Sequence, residues 1–113
     1  MDKFILIKFE VEGIHRWKDC PFSEVSYLRD YHRHIFHFEV KMEVFHNDRE
    51  VEFIMVKNRL QKRMSNILEE PVNHSCETLA QMVADIITEL YGIRKVEITV
   101  LEDGENGGGI TIN

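Results

Sequence analysis

From His32 to Val44 the chain alternates without a break. The even positions read His, His, Phe, Phe, Val, Met, Val, and the odd positions from Arg33 read Arg, Ile, His, Glu, Lys, Glu. Successive side chains of an extended strand leave opposite faces, so this pattern specifies a half-buried β-strand with one apolar side. His32 and His34 open that strand on the side that becomes core. Two imidazoles one residue apart on one face can both reach a single metal ion.

The strand needs partners, and the neighbouring sequence supplies them. Phe4 to Val11 alternates as well, with Ile5, Ile7, Phe9 and Val11 on one face. Gly13 interrupts the series and suggests a bend or bulge. His15 follows in phase with the apolar positions. Lys18 to Asp30 has no steady period and reads as a loop, with room for one helical turn around Ser23 to Leu28. His46-Asn47-Asp48-Arg49 is a turn-forming cluster.

From Glu52 to Leu68 the period changes. Phe53, Val56, Leu60, Met64 and Ile67 recur every three or four residues, which predicts an amphipathic helix. Pro71 forbids its continuation. Ser75 is a good N-cap for a second helix, and Glu77 complements its dipole. Leu79, Met82, Val83, Ile86 and Leu90 form the predicted buried stripe, and Gly92 the terminator. Arg94 to Leu101 alternates again, with Val96, Ile98 and Val100 inward. Glu102 to Gly109 reads as a glycine-rich turn and Ile110-Thr111-Ile112 as a short last strand.

The order is ββααββ. Each helix must bury its stripe, so the expected architecture is α+β, a four-stranded antiparallel sheet with two helices on one face. Phe4, Leu6, Ile35, Phe45 and Leu101 fall on the other face, as scattered exposure or as an oligomer interface. A chain of 113 residues is expected to form a single domain over residues 1–113, with a core that needs no disulfide staples. Cys20 and Cys76 make no disulfide framework, which favours a reducing, cytoplasmic setting. A net charge of -6 gives no footprint for nucleic acid or an anionic membrane. No apolar run approaches the roughly 20 residues of a membrane span, and the N-terminus becomes charged too soon for a signal peptide.

Three groups of residues carry chemistry. His15, His32 and His34 share the apolar phase on two strands expected to be neighbours, and three imidazoles with one open position are a ligand set of catalytic zinc. Imidazole also suits iron, nickel and copper. His37 and His46 fit no constellation and read as surface residues. Glu102 continues the Val96, Ile98, Val100 face, so its carboxylate either turns into solvent or meets a ligand with paired N–H donors. At the start of the second helix, capping alone accounts for Ser75 and Glu77. Cys20 is either a loop nucleophile near a metal or cation, or incidental.

The ordered set resembles the 6-pyruvoyltetrahydropterin synthase / 6-carboxytetrahydropterin synthase family. The family's first-strand Phe-x-Ala-Ala-His-x-Leu is similar to the end of Phe9 to Trp17, and its His-Gly-His to His32-Arg33-His34. Its Asp-Phe resembles Glu52-Phe53. Its Pro-Thr-x-Glu-Asn resembles His74-Ser75-Cys76-Glu77-Thr78, and its Val-x-Glu-Thr resembles Val100-Leu101-Glu102-Asp103.

The resemblance covers nearly the whole chain. It implies the tunnelling (T-) fold, in which subunits join sheets into barrels, and hence a homo-oligomer, a trimer or hexamer. It implies zinc on His15, His32 and His34, and a dihydropterin ring held by Glu102 with Ser75 and Glu77. The implied activity is that of a lyase acting on 7,8-dihydroneopterin triphosphate or a related dihydropterin.

The family's catalytic cysteine just before His-Gly-His is replaced by Tyr27-Leu28-Arg29-Asp30. Its Asp-His relay shrinks to Leu68-Glu69-Glu70-Pro71-Val72-Asn73. The proton carrier is then one of Cys20, Asp30, Glu70 and His74. A non-catalytic member that binds a pterin or purine-like molecule is the alternative, followed by a metal-binding oligomer with no pterin role.

Overall fold

The computed structural model describes all 113 residues. Strand β1 spans Lys3–His15 and strand β2 spans His32–Val44. Helix α1 spans Phe53–Ile67 and helix α2 spans Cys76–Tyr91. Strands β3, Val96–Glu102, and β4, Asn106–Ile112, close the chain. A 3₁₀ helix, Ser23–Arg29, lies in the connection between β1 and β2. The sheet runs in the order β1-β2-β3-β4 with every pair antiparallel. The expected ββααββ architecture is therefore the observed one.

Both helices cover one face. Ile7, Phe9 and Val11 of β1, Phe36 to Met42 of β2 at even positions, and Val96, Ile98 and Val100 of β3 are buried on it. Val56, Leu60 and Met64 of α1 and Leu79, Val83, Ile86 and Ile87 of α2 meet them in one cluster of 21 residues. The helical stripes sit slightly differently from the prediction. Phe53 and Leu90, at the helix ends, are exposed, while Cys76, Ala80 and Ala84 are buried because small side chains let α2 approach the sheet. On the opposite face Phe4, Leu6, Ile35 and Phe45 are exposed, as the alternation requires. No helix is long and apolar enough to cross a membrane.

Each helix starts on a side-chain cap. The Glu52 carboxylate accepts from the Ile54 amide at 2.6 Å, and Ser75 Oγ accepts from the Thr78 amide at 3.0 Å. These bonds satisfy donors that have no partner within the helix. Gly92 ends α2 at φ 84°, a conformation that favours glycine.

Two local expectations are corrected. Gly13 makes no bulge: β1 continues through it, and Gly13 stands opposite His34 in unbroken register. It is small because a Cβ there would come within 3.1 Å of Leu68 Cδ2 and Phe36 Cε2. Glycines 107 to 109 are not turn residues but lie inside β4, which is seven residues long. A Cβ on Gly107 or Gly109 would strike the carbonyl of Val100 or Ile98, and one on Gly108 would strike the Glu77 carboxylate. The turn itself is only Asp103 to Glu105, with Asp103 and Gly104 at positive φ.

Candidate metal centre

Three strand ends and one helix start meet at one end of the sheet. His15 ends β1 opposite His32, the first residue of β2, and Glu102 ends β3 opposite Phe36. The even face of β2 and the odd face of β1 thus deliver His15, His32 and His34 to one side, with imidazole centroids 4.5 to 5.3 Å apart. Val72 forms a parallel bridge to His15, its amide donating to the Ile14 carbonyl at 3.0 Å. That bridge carries His74 and the start of α2 to the same place.

Each histidine has one ring nitrogen already engaged. His15 Nδ1 donates to the His74 carbonyl at 2.8 Å, and His32 Nδ1 donates to the Asp30 carbonyl at 2.9 Å. A carbonyl oxygen only accepts, so Nδ1 carries the proton in both rings. His34 Nδ1 lies 2.7 Å from Asp103 Oδ2. The amide of Ile35 and the His34 ring hold the Asp103 carboxyl below the usual carboxylate range, so it too is an acceptor. In its neutral form each of the three rings therefore keeps the lone pair on Nε2. Metal-binding histidines are oriented in this way, with the far nitrogen bonded to a carbonyl or carboxylate.

The free nitrogens converge. His15 Nε2 stands 2.9 Å and His34 Nε2 3.7 Å from the same oxygen, Glu102 Oε2. Ligand atoms of His15, His32, His34 and Glu102 all lie within 4.8 Å of one another, so the four could hold a metal ion. His15 Nε2 is buried and has no hydrogen-bond partner of acceptable geometry, although the Glu102 oxygen is close. A lone pair facing a carboxylate at that distance is repulsive unless a proton or a cation lies between them. The donor set, imidazole and carboxylate, fits zinc.

The electrostatics agree. Burial lowers the affinity of His15 for a proton, but the close Glu102 carboxylate and the His74 carbonyl outweigh it, and its pKa is raised. Glu102 is held below the usual range, chiefly by His15 and against its partial burial. The site thus keeps its carboxylate ionised beside a nitrogen that draws positive charge.

A cavity of about 570 Å³ opens beside the cluster. His15, His32 and Glu102 form one part of its wall, and His74, Ser75, Glu77 and Thr78 at the start of α2 form another. Of the four proposed proton carriers, only His74 lines this cavity. Burial and the charge of His15 lower its pKa, which leaves it neutral at neutral pH. Cys20 is buried in the β1–β2 connection with its Sγ toward the Phe22 and Val25 carbonyls. Asp30 reaches the site through its carbonyl, and Glu70 is exposed outside the cavity.

The structure adds two residues that the sequence reading passed over. Cys76 lines the cavity, but burial and then the charges of Glu102 and Glu77 push its thiol up to about 11, so it stays protonated. Asp103 grips His34, and only the register between β2 and the β3–β4 turn reveals it. No family model matches the chain, and no curated protein matches it significantly.

Proposed function

We propose that this chain is a zinc-dependent pterin enzyme of the 6-pyruvoyltetrahydropterin / 6-carboxytetrahydropterin synthase type, a cytoplasmic homo-oligomer acting on 7,8-dihydroneopterin triphosphate or a related dihydropterin. One observation supports the reading: His15, His32, His34 and Glu102 cluster closely enough to share one ion, and His15, His32 and Glu102 of that cluster line a cavity that also presents Ser75 and Glu77. A flat, N–H-rich heterocycle is what paired acceptors on a cavity wall would select.

Zinc, when bound, supplies a Lewis acid that polarises oxygen groups on the substrate. His15, His32 and His34 would hold it. Glu102, ionised and half-buried, accepts from the ring N–H edge, with Glu77 as a second acceptor across the cavity. His74, held neutral, takes up the proton released from the side chain of the dihydropterin, as a base within the cavity. Such a lyase is tested by metal content, then by incubation with 7,8-dihydroneopterin triphosphate and mass analysis. About one zinc per chain, lost in His32→Ala, together with a new pterin product supports it.

A second reading has its own observation. Glu102 Oε2 lies 2.9 Å from His15 Nε2, close enough for the carboxylate to serve as a fourth protein ligand. Four protein ligands close a zinc site, as in structural rather than catalytic centres. The chain would then be a non-catalytic T-fold protein that binds a pterin or purine-like ligand. Zinc and bound dihydropterin without product favour this reading, and absence of metal from the purified protein overturns both.

A further inference from the structure

Of the three acceptors that orient the histidines, two are main-chain carbonyls and one is a side chain. Asp103 makes three bonds to β2. Its amide donates to the Ile35 carbonyl at 2.8 Å, its Oδ1 accepts from the Ile35 amide at 2.9 Å, and its Oδ2 accepts from His34 Nδ1 at 2.7 Å. It does so at φ 55°, in the left-handed region that side-chain-bearing residues seldom occupy. A non-glycine residue in that conformation, fastened at three points to the strand that presents a metal-binding histidine, is more than a turn residue. Sparsely populated backbone of this kind persists where the surroundings over-determine it.

We propose that Asp103 is the positioning residue of the metal centre, fixing His34 as the Nδ1–H tautomer so that its Nε2 lone pair faces the metal. The inference rests on the metal reading of the site and not on the pterin reading. Asp103 touches neither the ion nor the cavity; it acts through the His34 ring. Its neighbour in the chain, Glu102, faces the Nε2 atoms of His15 and His34 at 2.9 and 3.7 Å, so one two-residue segment supplies a carboxylate on each side of the His34 ring.

Asp103→Asn separates the roles. Asparagine tolerates the same backbone conformation, and its carbonyl oxygen can keep the bond from the Ile35 amide. Its NH₂ then faces His34 Nδ1 and donates to it, which moves the ring proton to Nε2 and removes the lone pair from the site. The full chain is compared with the variant in two measurements. Zinc and cobalt affinities come from competition with a chromophoric chelator, and the His34 tautomer comes from long-range ¹H–¹⁵N NMR of the metal-free protein at about pH 8, where imidazoles are neutral.

The expected result is about 10–100-fold weaker metal binding, the range found for outer partners of metal-binding histidines. It is accompanied by a switch of His34 from Nδ1–H to Nε2–H. Should the asparagine variant fail to fold, Asp103→Gly, which relieves the backbone and removes the carboxylate, should show the same loss of affinity. Glu12→Ala, on the other face of the sheet, should show none. Unchanged affinity, or a His34 ring that stays Nδ1–H in Asp103→Asn, overturns this inference alone. Wild-type protein that binds neither ion overturns the metal reading as well.

Discussion

The two ends of the sheet both bring charged groups together and treat them in opposite ways. At the Val44–Val96 end, Arg94 donates to both oxygens of Glu50, at 3.0 and 2.6 Å, and to the carbonyls of Tyr91 and Glu43. The Arg94 and Glu50 charges are matched to each other within the chain. At the other end, three imidazole nitrogens and a carboxylate oxygen converge, and the buried His15 Nε2 among them has no hydrogen-bond partner. The first arrangement is complete and stabilises the fold. The second is incomplete, and what would complete it is a cation. Unlike charges in contact signal structure, whereas converging lone pairs signal a binding site.

The comparison predicts that substitutions along one continuous strand face separate cleanly by readout. Phe38 is fully buried and stacks on Phe9 with centroids 4.7 Å apart. Phe38→Ala should cost about 3–5 kcal/mol of stability in chemical denaturation, through lost burial and the cavity left behind. Protein that remains folded should keep its full metal content. Loss of metal from folded Phe38→Ala would mean that the two ends are coupled through the core.

Six residues toward the site, at the start of the same strand, the effect should invert. His32 is only half-buried and contributes one hydrogen bond, so His32→Ala should change metal-free stability by no more than about 1 kcal/mol. Its metal affinity should fall by more than about 100-fold, beyond the loss expected for an outer partner. Isothermal titration with zinc checks the second figure and a denaturant melt with chelator present checks the first. An affinity that survives would remove His32 from the ligand set.

How much of this could be read from the sequence follows the range over which each feature is determined. The alternation of β2 and the phase of His15 and Glu102 are local, and they suffice to mark three of the strands and the three histidines, whereas the approach of Glu102 to those histidines depends on how β3 is paired with β2. The glycines at 107 to 109 misled because glycine signals a turn locally. Their reason lies across the sheet, in the closeness of the β3 carbonyls and Glu77. Asp103 was missed for the same cause: it sits 69 residues from His34, and nothing in its own neighbourhood points there. The proton carriers named from spacing scattered for the converse reason. The long β1–β2 connection turns Cys20 inward to carbonyls of its own loop rather than toward the cavity.

Gly13 lies on the boundary between the two ends, paired with His34 and packed under Leu68 and Phe36. Gly13→Ala should therefore register on both readouts. Leu68 Cβ is 3.2 Å from the new methyl, and an atom next to the backbone yields less readily than a side-chain tip. A loss of about 1–3 kcal/mol is expected from overpacking. Metal affinity should fall as well, by less than in His32→Ala, because the ligand remains but its strand is displaced. A pure stability effect would show that the histidine end tolerates movement of its frame.

The smallest effect tests the complete end by itself. The hydrogen bond from Arg94, helped by the Phe45 amide and the Arg94 charge, holds the Glu50 carboxyl below its ordinary value of 4.5 against the opposing effect of burial. A carboxyl whose folded pKa is depressed contributes stability that is fully present above the unfolded value and is lost as pH falls through the folded one. Glu50→Gln removes that contribution at every pH. The variant should be the less stable protein at pH 7, and the gap should close as the pH drops below about 4.5, where wild type protonates Glu50 and gives up the same interaction. Denaturant midpoints measured for both proteins across that range decide the matter. A gap that stays constant on acidification would mean that the Arg94 contacts to the Tyr91 and Glu43 carbonyls, rather than its charge pair with Glu50, hold this end of the sheet. Zinc affinity should be the same in both proteins, since Glu50 pairs within the chain and faces no part of the histidine cluster.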